Sequence, residues 1–222
     1  MKTKSALLGF LFLCVITSDI VPQETPTSNR RLYFKAGTGF TTYRIGSDVT
    51  SDTRRSNFLM GMGWECNLQE QTVCCAVEMV LSNKAFAHSS LQVIDASSNW
   101  GKISINNYYL TVPVLLRYNF TKQNQASLSG LLHSISPELG FEPQLLFLSD
   151  STIEGGDFTT VTGIRGVAFN AVAGCGFTVI VKSTAFRFGL RYVHGISSYR
   201  YYKTNRGHLQ SLMFYTDWLF RS

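Results

Sequence analysis

Strict alternation between large apolar residues and small or charged residues is the feature that most limits how this chain folds. Along residues 57–68, one set of alternate positions is large and apolar: Phe58, Met60, Met62, Trp64, Cys66 and Leu68. The intervening positions include Gly61, Gly63, Glu65 and Asn67. Successive side chains of a β-strand point to opposite faces. The segment is therefore predicted to be a strand with one apolar face and one small, polar face.

The same alternation recurs in eight segments, each long enough for the about 9–11 residues that a tilted membrane strand needs. Long polar stretches and short turns alternate between them, with residues 121–133 as a longer exception among the turns. Outer-membrane barrels show this alternation of connections. The pattern predicts an all-β fold, an eight-stranded antiparallel up-and-down transmembrane β-barrel, with strands at residues 32–43, 57–68, 73–84, 103–120, 134–147, 168–179, 184–195 and 209–220.

Alternation alone does not decide which face is outside, because a soluble lipocalin-like barrel has its apolar face inside around a small ligand. Side-chain volume favours the membrane barrel. The interior of an eight-stranded barrel is just wide enough for side chains to fill it, and eight strands of Phe, Trp, Tyr, Met and Leu would overfill it. With the small face inward, charged residues of both signs share the lumen and nearly cancel as an ionic network: Lys35, Glu65, Glu78, Arg117, Glu138, Glu142, Arg187, Arg191 and Asp217.

The N-terminus has the organisation of a secretory signal. Lys2 and Lys4 precede an apolar run, residues 6–16, that is too short to span a bilayer as a helix. We therefore expect a signal peptide at residues 1–18, with cleavage between residues 18 and 23. A flexible lead-in at residues 19–31 and the barrel at residues 32–222 follow.

Composition excludes several classes of function. The formal net charge is +6, but the basic residues are dispersed and form no stripe for nucleic acid. The sequence shows no metal-ligand spacing and no phosphate loop, so no metal and no cofactor are expected. Cys66 and Cys75 are placed to face each other across a tight hairpin. Their spacing favours a role as small apolar side chains on the outer face over a disulfide bond, and the disulfide stays as the alternative.

Several short motifs resemble the PorT-like outer-membrane β-barrel family of Bacteroidota. Residues 109–118, Tyr-Leu-Thr-Val-Pro-Val-Leu-Leu-Arg-Tyr, are similar to that family's Tyr-Leu-Glu-Ile-Pro-Leu-Leu-Leu-Lys-Tyr strand. Residues 77–84 resemble its preceding Glu-Leu-Leu-Tyr-Ser strand, and residues 174–177 and 189–195 its Gly-x-Gly and Arg-Tyr-x-x-Gly segments. The resemblance covers most of residues 32–220. It implies a barrel in the outer membrane of a Gram-negative bacterium, of a family whose founding members assist a secretion system.

Two positions depart from the family pattern. Thr111 stands where the family has Glu, which removes one inward carboxylate. Arg221 and Ser222 follow Phe220, so the aromatic residue expected at the C-terminus for barrel assembly is displaced. Neither the motifs nor the departures identify a secretion role for this chain.

Three functional classes remain: a structural or interaction barrel, a small pore, and a lipid-modifying enzyme of the outer membrane. His194 on the outer face, with Ser197 and Ser198 nearby, is the candidate for hydrolase chemistry, but neither an acid partner nor an elbow motif accompanies it. Lumen charges disfavour an open pore. A non-enzymatic barrel is therefore expected.

The expected partners are outer-membrane lipid, lipopolysaccharide and an unidentified envelope protein, not nucleic acid. Interaction hot spots are rich in Tyr and Arg, and basic residues attract phosphates. One long loop combines both features and is the candidate interaction surface, although a merely solvated loop would have the same composition: Tyr199, Arg200, Tyr201, Tyr202, Lys203 and Arg206.

Overall fold

The predicted eight-stranded antiparallel barrel is confirmed in a computed structural model of the chain. It describes residues 30–45, 48–49, 53–69, 72–88, 103–121, 132–153, 166–181, 184–197, 199–201 and 205–220. Within these ranges, the chain has no helix long and apolar enough to cross a membrane. The eight long strands are β1 (Arg30–Ile45), β2 (Thr53–Gln69), β3 (Val73–His88), β4 (Ile103–Thr111, Val114–Tyr118 and Phe120–Thr121), β5 (Leu132–Ile153), β6 (Val167–Val181), β7 (Thr184–Gly195) and β8 (Asn205–Leu219).

Each strand pairs with its neighbour in sequence, and β8 pairs with β1 to close the sheet. The closing register places Phe34 opposite Trp218 and Arg44 opposite His208. The first strand begins at Arg30, so it takes in the last two residues of the predicted lead-in, 19–31. The signal peptide predicted at residues 1–18 lies outside the described residues.

The fourth strand is interrupted at Pro113, which has no backbone N–H to donate. Its register nevertheless continues, since Thr111 is opposite Val80 and Val114 is opposite Val77 on β3. The Pro113 carbonyl still accepts a hydrogen bond from the Glu78 N–H, at 2.9 Å. The three segments of β4 therefore form one strand of the barrel wall.

The outer surface is apolar. Large side chains such as Met79, Leu139, Phe141 and Phe214 are exposed on the barrel wall. Among the side chains whose exposure the structure describes, the exposed charged ones are Arg30 and Arg31, both at the start of β1. A charge at the bilayer midplane costs about 2–4 kcal/mol, so this surface suits lipid. A lipocalin-type arrangement would have the opposite polarity.

Two features help to orient the barrel: exposed aromatic residues near one rim and long connections at the other. Trp64, Tyr118 and Trp218 are exposed near the ends of β2, β4 and β8, on the side of the short turns. Residues 89–102 and 154–166 connect strands at the opposite rim and are longer than the turns of residues 70–72 and 182–183, while residues 122–131 remain the longer exception on the turn side. In outer-membrane barrels the short turns are periplasmic and the long loops extracellular. We call these two rims the turn end and the loop end.

Candidate functional site

The lumen holds all nine charged residues that the alternation predicted to face inward. Each is buried, and together they come from seven of the eight strands. The exception is β6. Eight of the nine lie in one cluster toward the turn end, which we call the central cluster: Lys35, Glu65, Glu78, Arg117, Glu138, Arg187, Arg191 and Asp217.

Arg117 lies at the centre of this cluster and donates hydrogen bonds to carboxylates from three other strands. Its Nη1 is 3.0 Å from Glu65 on β2, its Nη2 is 2.8 Å from Glu78 on β3, and its Nε is 3.0 Å from Glu138 on β5. A planar guanidinium with five N–H donors is suited to several carboxylates at once, which a lysine ammonium is not. The single side chain therefore connects four strands across the lumen.

Arg191 on β7 bridges two of the same carboxylates. Its Nη1 lies 2.7 Å from Glu78, and its Nε lies 2.8 Å from Glu138. The Tyr33 hydroxyl also donates to Glu78, at 2.7 Å. Glu78 is therefore held by two guanidinium groups and a phenol, a density of donors that compensates for its complete removal from water.

The rest of the cluster lies across the seam between β1 and β8. The Lys35 ammonium is 2.6 Å from Asp217 and 3.4 Å from the centre of the Tyr215 ring. Arg187 connects Asp217, at 3.5 Å, to Glu65, at 3.0 Å. Four acids and four bases thus share the central cluster, so its formal charge is zero. Neutrality matters because an uncompensated buried charge costs several kcal/mol.

Glycines provide the space that these long side chains occupy. A Cβ added at Gly174 would lie 2.8 Å from the Glu138 carboxylate, and one at Gly176 would lie 3.1 Å from Cγ of Arg187. A Cβ at Gly189 would overlap the Tyr215 ring. These contacts explain the role of β6, which contributes room at this level rather than charge.

A second ion pair lies nearer the loop end. Lys84 on β3 is 2.8 Å from Glu142 on β5, and its ammonium also donates to Gln144 at 2.6 Å. The Asn170 amide donates to the same Glu142 oxygen at 2.9 Å. Lys84 is absent from the ionic network that the sequence predicted. The missing signal was its parity with Glu78, six residues earlier on the same strand.

Further polar groups fill the lumen toward the loop end. Thr41 on β1 and Ser211 on β8 share a hydroxyl–hydroxyl hydrogen bond of 2.6 Å. The Asn57 amide donates to Thr41 and its oxygen accepts from the Ala85 N–H at 2.8 Å. All four residues are buried, so side chains also fill the lumen on the loop-end side of the central cluster.

The predicted interaction surface lies at the loop end, and the structure covers it in part. Tyr199–Tyr201 form a short strand that pairs with β8, placing Arg200 opposite Arg206. Tyr202 and Lys203 lie outside the described residues. For Tyr199, Arg200, Tyr201 and Arg206, the structure describes the backbone but not the side chains.

The candidate hydrolase pair is not assembled. The Ser197 hydroxyl accepts a hydrogen bond from the backbone N–H of Phe169 at 3.0 Å, whereas His194 Nδ1 contacts the Tyr192 hydroxyl at 3.4 Å and the Gln210 amide at 3.3 Å. Ser198 lies outside the described residues. Within the described ranges, no group of three or more potential metal ligands occurs.

Cys66 and Cys75 are direct cross-strand partners on β2 and β3, as the hairpin geometry predicted. Neither forms a disulfide, and Cys74 and Cys175 are also free thiols. Cys74 is buried in the lumen, while Cys175 is exposed on the outer wall. These positions agree with cysteines used as small side chains on a strand.

Comparison with known proteins identifies the family. A family model described as outer membrane protein beta-barrel domain matches residues 22–200. Among solved structures, the attachment invasion locus protein of Yersinia pestis, in complex with the heparin analogue sucrose octasulfate, is 12% identical, with 86% of this chain and 99% of that chain covered and a TM-score of 0.42. Neisserial surface protein A is 10% identical, with coverages of 85% and 97% and a TM-score of 0.45. The outer membrane protein W of E. coli is 12% identical, with coverages of 84% and 97% and a TM-score of 0.38. No curated protein matches the chain.

Proposed function

Because this chain belongs to the outer membrane protein beta-barrel domain family, we propose that it is a non-enzymatic structural or surface-interaction component of the outer membrane. Its barrel serves as an anchor with a plugged lumen, and its loops carry the interaction. The observation that supports this role is the neutral central cluster, whose ion pairs connect seven strands across the lumen.

A plugged lumen distinguishes this role from that of a pore. Conduction needs a continuous water-filled path, but Arg117 and Lys35 have no exposed surface. Opening such a path would separate buried ion pairs, at a cost of about 3–5 kcal/mol for a pair that loses one partner. The interior of an eight-stranded barrel leaves no spare width for ions to pass around them.

Conductance in planar lipid bilayers tests the plug. The purified barrel, with insertion verified by protection of its strands from added protease, is expected to give no steady current. A stable, ohmic conductance that scales with the amount of inserted protein would refute the plugged lumen and favour the pore.

The loop surface at residues 199–206 is proposed as the site of interaction with lipopolysaccharide or an envelope protein. Arg200 and Arg206 are direct cross-strand partners, and like charges directly opposite each other destabilise a sheet. An anionic partner would relieve this repulsion. The Tyr residues of the same loop suit a protein partner, since Tyr and Arg dominate hot spots.

Replacing Arg200, Lys203 and Arg206 by Ser tests this surface. Barrel assembly, measured by heat-modifiable migration, should remain intact, while co-purification of lipopolysaccharide or of a protein partner falls. The control is Arg30→Ser with Arg31→Ser, which removes exposed positive charge at the turn end. If the triple variant retains the same partners at the same yield as this control, the loop is only solvated.

The proposal also covers how the chain is exported and which branch of the family it belongs to. A signal peptide at residues 1–18, cleaved between residues 18 and 23, delivers the barrel of residues 32–222 to the outer membrane of a Gram-negative cell. The motifs at residues 109–118 and 189–195 support a PorT-like protein of Bacteroidota. An envelope- or secretion-associated role is part of the proposal but is not carried by these motifs. Mass spectrometry of the membrane-extracted protein checks the first point: a mature N-terminus outside residues 19–24 would contradict the expected cleavage.

A further inference from the structure

Two cysteines on the outer wall are direct neighbours at the turn end of the β2–β3 hairpin. Cys66 on β2 is opposite Cys75 on β3, and both are partly exposed free thiols. Cys66 shares the outward parity of the exposed Trp64, and Cys75 shares that of the exposed Val77. The hairpin therefore presents two thiols side by side on its outer surface, close to the tight turn at residues 70–72.

The spacing of directly opposed side chains suits a bridging ion better than a disulfide. The Cβ atoms of such a pair are about 4.5–5.5 Å apart, whereas a disulfide needs its Cβ atoms about 3.8 Å apart. A metal–thiolate bond is about 2.3 Å long, so two sulfurs on opposite sides of one ion are about 4.6 Å apart. One ion held between Cys66 and Cys75 therefore matches the spacing of the two strands.

The number and type of ligands limit which ion this pair holds. Thiolates are soft ligands that favour Cu(I) and Zn²⁺. Structural zinc takes four ligands in a tetrahedron, and within the described ranges no group of three or more Cys, His, Asp or Glu side chains is placed to hold a metal ion. The pair is therefore only half of a zinc site. A closed-shell monovalent ion such as Cu(I) is saturated by two thiolates in a line, so Cys66 and Cys75 supply its complete ligand set.

Arg30 compensates the charge that such a complex carries. Binding of the ion releases one proton from each thiol, so two thiolates with one Cu(I) carry a single negative charge. Arg30 on β1 is the direct cross-strand partner of Cys66, is exposed, and has its guanidinium 5.7 Å from the centre of the Trp64 ring. A neighbouring arginine favours the thiolate over the thiol. The complex and Arg30 together are neutral, which suits an apolar wall on which an uncompensated charge is costly.

We propose that Cys66 and Cys75 form a binding site for a thiophilic monovalent metal ion of the Cu(I) class, held between two thiolates at the turn end of the outer wall. No electron is transferred: two S–H bonds break, two metal–sulfur bonds form, and both protons go to solvent. The site is separate from the loop surface at residues 199–206 and from the ion pairs of the lumen. Binding of the metal does not depend on the proposed membrane placement, which sets only the side from which the ion arrives.

Titration of the folded, reduced barrel in detergent micelles with Cu(I) tests the proposal. The ion is supplied with ascorbate under nitrogen, in competition with the chelator bicinchoninate, and the bound metal is counted after gel filtration. One Cu(I) per barrel is expected, with two sulfur neighbours in its X-ray absorption spectrum, and Zn²⁺ should bind more weakly. Cys66→Ser and Cys75→Ser should each weaken Cu(I) binding about a hundredfold or more, since loss of an outer-shell partner alone costs about 10–100-fold.

Control variants on the same wall separate this pair from other sulfur groups. Met62 and Met79 are another cross-strand pair on the same face, about 13 Å from the thiols along the strands. Met62→Leu with Met79→Leu should leave the affinity and the stoichiometry unchanged, and so should Cys175→Ser, which removes the exposed thiol of β6. Arg30→Gln should weaken Cu(I) binding about twofold to fivefold, the range of an exposed charge pair. Arg31→Gln, which changes the residue near the lumen carboxylate Glu65, should not weaken it.

Cu(I) binding that survives either serine variant, or an equal loss in the methionine variant, would overturn the site. Binding of Zn²⁺ as tight as that of Cu(I) would also overturn it, because it requires ligands that the pair does not supply. Heat-modifiable migration verifies that each variant is folded. If a serine variant does not fold, alkylation of the wild-type barrel is measured by mass spectrometry with and without Cu(I). The ion should protect Cys66 and Cys75 but not Cys175, and equal alkylation of all three in its presence would refute the proposal.

Discussion

Removing Arg191 from the central cluster is predicted to destabilise the barrel strongly. The side chain is 3% exposed and makes contacts of 2.7 Å to Glu78 and 2.8 Å to Glu138. Arg191→Met keeps much of the length and removes the charge, which leaves the cluster with four acids and three bases. Breaking a buried pair in this way costs about 3–5 kcal/mol. The remaining partners of Glu78, among them Arg117 at 2.8 Å, favour the lower part of that range.

A double variant separates lost charge balance from lost packing. Glu138→Gln alone leaves a net positive cluster, while Arg191→Met with Glu138→Gln restores neutrality. We expect the double variant to be more stable than the sum of the single effects predicts, by a coupling free energy of about 0.5–3 kcal/mol. A pure packing defect at Arg191 would instead give additive costs.

Equilibrium urea unfolding in detergent micelles, followed by tryptophan fluorescence and checked for reversibility, gives the free energies of unfolding. Arg31→Met is the control, because this half-exposed arginine lies 3.9 Å from Glu65 and exposed ion pairs contribute about 0–1 kcal/mol. If Arg191→Met costs no more than Arg31→Met, or if the double variant is fully additive, the reasoning from buried charge is refuted.

Three further predictions concern the wall, the lumen and the thiols. Leu190→Arg should cost about 2–4 kcal/mol in lipid vesicles, and clearly more than Leu190→Ser; equal costs would contradict a lipid-facing Leu190. Gly189→Ala should cost about 1–3 kcal/mol by overpacking, and Tyr215→Leu should reverse part of that cost by removing the ring the new Cβ meets; an additive double variant would argue against this contact. Thiol titration of the unfolded, unreduced mature chain should find four thiols, whereas two would indicate a Cys66–Cys75 disulfide.

The strands and their faces were predictable because the information is local. A period of two along each segment assigns Glu65 and Met62 to opposite faces without knowledge of the other strands. The same parity placed Lys35 and Arg191 inside. Proline at residue 113 interrupts the pairing pattern but does not break the alternation, so β4 was still recognisable as one strand.

The partners inside the lumen were not predictable, because they depend on how the strands are staggered around the barrel. Arg187 contacts Glu65, 122 residues away, and Arg191 contacts Glu78, 113 residues away. Alternation predicts that these residues face the lumen, but it does not predict their positions along the barrel axis. For the same reason the sequence did not separate Glu142, which pairs with Lys84, from the central cluster.

The position of the central cluster ties charge compensation to closure of the barrel. Lys35 and Asp217 are direct cross-strand partners at the seam of β1 and β8, and their side chains are 2.6 Å apart. Before β8 pairs with β1, Asp217 and Lys35 lack each other, and the lumen side of the sheet holds unmatched charges in a low-dielectric setting. When β8 pairs with β1, Asp217 meets Lys35. The same pairing forms the 2.9 Å hydrogen bond from the Phe220 N–H to the Leu32 carbonyl. An open sheet in the membrane is therefore penalised twice, by unpaired backbone groups and by unpaired charges. Closure of the seam therefore satisfies backbone hydrogen bonds and side-chain charges at the same step.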